Sequence, residues 1–228
     1  MSTLAANLKT TAVQIPIGGG TFLDADIVMP PQAKGVVLFA HGSGSGRHSP
    51  RNQYVASELN FLQMATVLAD LLTPMEEQLD QRSGSFRFDI PMLTRRVVEL
   101  IDWARSYDLV ATLPIALFGA STGAAAALDA AAVRPDVVRA VVSRGGRPDL
   151  ATQLGAVQAP TLLIVGGNDP TVLRMNSEAL QHLHCPKEIE VISGATHLFE
   201  EPGTLEAVAS AAGAWFLHYL SPAQGGSP

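Results

Sequence analysis

The stretch Ile115-Ala116-Leu117-Phe118-Gly119-Ala120-Ser121-Thr122-Gly123-Ala124-Ala125-Ala126-Ala127-Leu128-Asp129-Ala130-Ala131-Ala132-Val133 decides how the rest of the chain is read. Ile115 to Phe118 form the short continuous apolar run of a strand buried on both faces. The residues from Thr122 onward are mostly alanine, the strongest helix former. Between them, Gly119-Ala120-Ser121-Thr122-Gly123 is G-x-S-x-G in a strand–turn–helix setting. A serine on so sharp a turn needs glycine two residues away on each side, because a side chain there would strike the adjoining strand or helix. The alanines let the helix pack closely, and its N-terminus brings positive potential to charge developing beside Ser121. A small-residue pentapeptide can equally be a plain tight turn, so a nucleophilic Ser121 depends on whether the chain supplies partners.

A serine hydroxyl needs a base within hydrogen-bond reach and a carboxylate that fixes the base's tautomer. Around an elbow of this kind the chain order is serine, acid, histidine. Of the six histidines, His41 and His48 precede the serine, His182 and His184 lie late in a helical stretch beside Cys185, and His218 falls in the last helix. His197 follows the last strand in the loop Ser193-Gly194-Ala195-Thr196-His197-Leu198-Phe199, from which it can reach over the sheet's carboxyl edge. Asp169 follows the strand Thr161-Leu162-Leu163-Ile164-Val165 through Gly166-Gly167-Asn168, at the edge where catalysis gathers in open α/β sheets. Asp149, after the preceding strand, is the rival acid; its alternative role is to cap the turn after Pro148. The expectation is Ser121 as nucleophile, His197 as base and Asp169 as the residue orienting it.

Strands and helices alternate outward from this centre. Residues 11–17 and 22–29 alternate apolar and polar around Gly18-Gly19-Gly20, which predicts an antiparallel hairpin. Val36-Val37-Leu38-Phe39-Ala40 reads as a central strand, as do residues 65–69, 138–142, 161–165 and 188–192. Helices are expected at residues 54–59, 92–106, 172–183 and 205–220, the last with Thr204 as its cap. Such alternation implies right-handed crossovers and a mostly parallel sheet with helices on both faces. Residues 73–88 are polar and read as a surface loop that could rim a site, and 221–228 as a frayed tail beyond one domain spanning 1–220. The connection over residues 143–160 is broken by Gly145, Gly146, Pro148, Gly155 and Pro160, too little for a true lid. The site should therefore be open, with a minimal cap.

The 228 residues suit a single α/β domain, and 47% hydrophobic with 16% charged residues imply a large, mainly aliphatic core. A net charge of −6 removes the footprint expected of a partner for nucleic acid or anionic lipid. The lone Cys185 can form no internal disulfide and is too few ligands for a structural zinc, and residues 1–10 lack a secretory h-region. A soluble cytoplasmic protein, without cofactor or metal, is expected. His41-Gly42-Ser43-Gly44-Ser45-Gly46-Arg47 admits two readings. As an oxyanion hole, the Ser43 N–H would join that of Thr122. As a dinucleotide fingerprint it fails on spacing, since Arg47 stands where the third glycine belongs, and no G-K-[ST] of a P-loop follows. Arg47, Arg51, Arg144 and Arg147 follow central strands and are candidates for meeting a substrate anion; their alternative is ion pairing with Asp149, Glu200 or Glu201.

With these residues assembled, residues 36–219 resemble the dienelactone hydrolase group of α/β-hydrolases, and in particular the branch often fused to or labelled as phosphoribosyltransferases. The motifs that carry the likeness are His41-Gly42-Ser43-Gly44-Ser45, Ser49-Pro50-Arg51-Asn52, the pentapeptide around Ser121, Ser143-Arg144-Gly145-Gly146-Arg147-Pro148-Asp149-Leu150, and the ten residues from Gly194 to Gly203. The resemblance implies the triad Ser121, Asp169 and His197 and says nothing of substrate. Dienelactone hydrolases proper use a cysteine nucleophile, so Ser121 speaks against dienelactone itself. No adjacent acidic pair in the chain has the surroundings of a phosphoribosyl-pyrophosphate site, which speaks against transferase activity. The expected chemistry is hydrolysis of small carboxylic esters through an acyl-enzyme. Lactonase, thioesterase or amidase activity at the same site, or a catalytically silent scaffold binding a small ligand, are the alternatives.

Overall fold

The computed structural model describes residues 8–220, so the expected tail lies outside the described residues. Eight strands form one sheet: β1 (Thr10–Pro16), β2 (Phe22–Val28), β3 (Val36–Ala40), β4 (Ala65–Ala69), β5 (Ile115–Ala120), β6 (Val138–Arg144), β7 (Thr161–Gly166) and β8 (Lys187–Ile192). Their spatial order is β1-β2-β4-β3-β5-β6-β7-β8. β1 and β2 pair antiparallel, β2 joins β4 antiparallel, and the other pairings are parallel. The hairpin turn uses three glycines at φ of 81°, 58° and 74°, a region closed to most side chains. This is the α/β-hydrolase fold expected from the sequence.

Six helices complete the described chain: α1 (Pro50–Phe61), α2 (Pro74–Ser83), α3 (Ile90–Ser106), α4 (Thr122–Val133), α5 (Pro170–His182) and α6 (Thr204–Leu220). Strand β3 shows how the layers close. Val36, Leu38 and Ala40 pack into the core that holds Val97 and Leu100 of α3 and Ala125 and Ala126 of α4, whereas Val37 and Phe39 pack with Leu59 of α1 and Phe216 of α6. Alternate side chains of a strand leave on opposite faces, so an unbroken apolar run is required where both faces are covered. Among the described residues, no helix is long and apolar enough to cross a membrane.

Two expectations need correction. Residues 73–88 are not an irregular loop: they contain α2, opened by a capping box in which the Thr73 hydroxyl accepts from Glu76 N–H (3.2 Å) and Glu76 accepts from Thr73 N–H (2.8 Å). The helix escapes periodicity because it has no apolar stripe; Met75 and Leu79 are exposed and only Asp80 is buried. That carboxylate accepts from the N–H groups of Phe86 (2.8 Å) and Arg87 (3.0 Å) and from Arg87 Nε (2.6 Å). Burial works to raise its pKa, but these bonds from Arg87 and Phe86 hold it below the usual carboxylate value. The second correction concerns Thr204, which opens α6 as its first residue and whose hydroxyl donates to Glu201 C=O (2.7 Å) rather than accepting from the helix. Residues 145–160 form only two short 3₁₀ turns, Pro148–Leu150 and Leu154–Ala156, so no helical cap covers the sheet there.

Candidate active site

Ser121 sits between β5 and α4 at φ 51°, ψ −124°, a conformation that costs a residue with a Cβ about 1–3 kcal/mol and persists only when its surroundings fix it. They do so by hydrogen bonds from both sides: Ser121 N–H donates to Arg144 C=O (3.2 Å), and Arg147 N–H donates to Ser121 C=O (3.0 Å). The flanking glycines are required by space. A Cβ at Gly119 would lie 2.5 Å from Ala124 Cα, and one at Gly123 would lie 2.2 Å from Ala40 C=O. A Cβ at Gly42 would come within 2.7 Å of Ser121 Cβ, so the glycine-rich loop also presses against the elbow.

His197 and Asp169 arrive on separate loops, after β8 and β7. His197 Nδ1–H donates to Asp169 Oδ2 at 2.8 Å, which leaves Nε2 of the neutral ring to act as base. Ser121, His197 and Asp169 line one open cleft of about 590 Å³, together with Ser43, Thr122, Arg147 and Phe88. The histidine loop is braced at several points. Glu201 accepts from Thr196 N–H (3.1 Å) and Thr196 Oγ1 (2.6 Å), and Asn168 Nδ2 donates to Gly194 C=O (2.9 Å). The rival Asp149 is held by Arg147 through two bonds of 2.8 and 2.7 Å, while the histidine goes to Asp169.

The Ser43 and Thr122 backbone N–H groups have no protein acceptor among the described residues, and the two side chains meet at 3.3 Å (Oγ to Oγ1). His41 positions this loop. Leu71 N–H donates to His41 Nε2 (2.7 Å), so the ring proton lies on Nδ1 and donates to Gly42 C=O (3.0 Å). Burial lowers the His41 pKa, opposed by the Gly42 bond and by the charges of Asp70 and Glu77. Sequence order set His41 aside as a base, and its position directly before the glycine-rich loop was the only signal of this bracing role.

The arginines lie elsewhere. Arg47 pairs with Asp70, with Asp24 at 3.8 Å and Asp26 at 3.6 Å, and is spent within the protein. Arg51 meets Glu200 at 3.4 Å. Arg144 is buried with its guanidinium 5.8 Å from the Phe118 ring centre; desolvation, aided by the charge of Arg51, lowers its pKa to about 10. None of these three lines the cleft, whereas Arg147 does.

Residues 59–220 match the sequence profile of the dienelactone hydrolase family. The chain belongs to the dienelactone hydrolase family. A solved dienelactone hydrolase from Anabaena variabilis is 52% identical, superimposes with a TM-score of 0.91, and the match covers 93% of this chain and 98% of that one. Two curated Mycobacterium tuberculosis proteins, provisionally named phosphoribosyl transferases, are 50% identical over 214 residues, 93% of this chain. The chain spans about half the length of these relatives, 47%. Est1E from Butyrivibrio proteoclasticus, solved with ferulic acid bound, is 18% identical with a TM-score of 0.78 over 92% of this chain and 99% of that one, a likeness of fold alone. Within the family frame, a serine stands at the elbow of this chain, with a histidine and an acid at the two loops that follow β8 and β7.

Proposed function

We propose that this family member is a serine hydrolase of small carboxylic esters. Ser121 Oγ attacks the ester carbonyl as His197 Nε2 takes its proton, and the tetrahedral oxyanion receives the free N–H groups of Ser43 and Thr122. As the C–O bond breaks, His197 returns that proton to the leaving alcohol and Ser121 keeps the acyl group. Water then attacks the acyl-enzyme with His197 again as base, releasing the acid and restoring the serine. Asp169 holds the imidazole by Nδ1 and stabilises the imidazolium formed in each half. A lactone is an internal ester and would open by the same steps. The reading is carried by the 2.8 Å His197–Asp169 bond in the cleft that also holds Ser121 on its positive-φ turn. The 1:1 labelling of Ser121 by a fluorophosphonate, with loss of p-nitrophenyl acetate hydrolysis, tests it. Full hydrolysis after complete labelling, or no labelling of Ser121, would refute it.

A further inference from the structure

Beside the open cleft lies a second cavity of about 290 Å³, at the low end of the range for ligand pockets. It shares Ser43 and Thr122 with the cleft, so the two meet at the proposed oxyanion donors. It extends away from His197, under α2, with Leu72 and Leu93 as its apolar surface.

Its charge is one-sided. Asp70, Glu77 and Asp80 line it against one cation, Arg87. Asp80 is taken by Arg87, and Asp70 by Arg47, which lies outside the lining. The exposed side chain of Glu77, in the first turn of α2, makes no hydrogen bond or ion pair among the described residues, and Gln81, one helical turn further on, lies beside it on the same wall. Position also determines which part of a substrate can enter. The leaving oxygen must face His197 to receive its proton, so the leaving group belongs in the open cleft. With the carbonyl oxygen at Ser43 and Thr122, the acyl arm is directed into the cavity.

We infer that this cavity is the acyl-binding site and that it selects short acyl groups ending in a cationic group, held by the Glu77 carboxylate with Gln81 beside it. The inference rests on the ester-hydrolase reading for which end of the substrate enters. A carboxylate-bearing acyl group would meet a surface where each cation already has a protein partner, and would be disfavoured.

The test uses three p-nitrophenyl esters with acyl chains of matched length ending in a trimethylammonium, a tert-butyl or a carboxylate group. Wild-type kcat/KM should fall in that order, with about fivefold between cation and anion, the size of one exposed charge pair, and the spread should narrow at high salt. Glu77→Gln should flatten the order and Glu77→Lys invert it. A flat order in the wild type, or an unchanged order in Glu77→Gln, would overturn the inference. Calorimetric binding of the same esters to Ser121→Ala separates this from catalysis. Tighter binding of the cationic ester, lost on adding Glu77→Gln, supports the site, and equal binding of all three overturns it. If the wild type turns over none of the three, the ester-hydrolase reading fails, while this binding comparison still decides whether the cavity selects cations.

Discussion

On one side of Ser121 lies the more closed of two cavities, about 290 Å³ beneath the glycine-rich loop and α2; on the other lies an open cleft of about 590 Å³ beneath the loops that carry Asp169 and His197. The closed side is held by buried groups: His41 spans Leu71 and Gly42, and Asp80 gathers three donors. The open side is held by more exposed polar contacts, Glu201 with Thr196 and Arg147 with Asp149. Buried, fully satisfied networks fix one geometry, whereas exposed pairs contribute little to stability and yield more easily. On the proposed mechanism, discrimination falls to the oxyanion side and proton transfer with leaving-group release to the histidine side.

The largest effects are expected on the histidine side. His197→Ala should lower kcat for p-nitrophenyl acetate by several orders of magnitude, up to about 10⁶, and adding Ser121→Ala should cost little more, because the two act as a unit. Asp169→Asn should lower kcat by about 10⁴ through the wrong histidine tautomer. Asp149→Asn should leave it within about threefold, as an exposed pair with Arg147 warrants. A severe Asp149→Asn with a mild Asp169→Asn would break the comparison by moving the acid to another loop.

On the oxyanion side, His41→Ala should act on both stability and rate. It strands the Leu71 N–H and Gly42 C=O, at a cost of about 3 kcal/mol in urea unfolding once lost packing is included, and frees Ser43 to move. We expect kcat to fall about tenfold to a hundredfold, because misplacing one oxyanion donor acts chiefly in the transition state. An unchanged kcat would show that the loop holds Ser43 without its histidine.

Much of this arrangement was legible in the sequence because its signals are local. The glycines around Ser121 mark close approaches, and the apolar runs of β3, β5 and β7 mark strands covered on both faces. Asp169 and His197 could be placed by chain order at the ends of strands. The readings that failed depend on tertiary contacts. Helix α2 has no apolar stripe and is fixed by its capping box and by Asp80 reaching Arg87, seven residues away. Arg47 could not be known as spent until β2 and β4 placed Asp24, Asp26 and Asp70 around it. The second cavity exists because the fold sets α2 opposite the glycine-rich loop, which no local pattern announces.

Smaller effects sharpen the contrast. Ser121→Gly should unfold at higher urea than Ser121→Ala by about 1 kcal/mol, because glycine accepts φ 51° without strain while alanine does not. Equal stability would mean that the elbow stores no strain. His41 also makes the closed side sensitive to acid. Its pKa in the folded protein lies below the ordinary 6.5, so the unfolded chain binds the proton more readily. Its contribution is complete above 6.5 and is lost as pH falls through the folded value. Wild type should therefore lose more stability than His41→Gln between about pH 7 and 5. Parallel losses would remove His41 as the sensor.

The central claim is that an acyl group passes through Ser121. Rapid acid quenching of enzyme mixed with excess p-nitrophenyl acetate, followed by peptide mass spectrometry, tests it most directly. The account predicts one acetyl group on the peptide containing Ser121, formed with a burst of nitrophenol and absent from Ser121→Ala. Sustained turnover with no acetyl on that peptide, or with the acetyl on another residue, would contradict it.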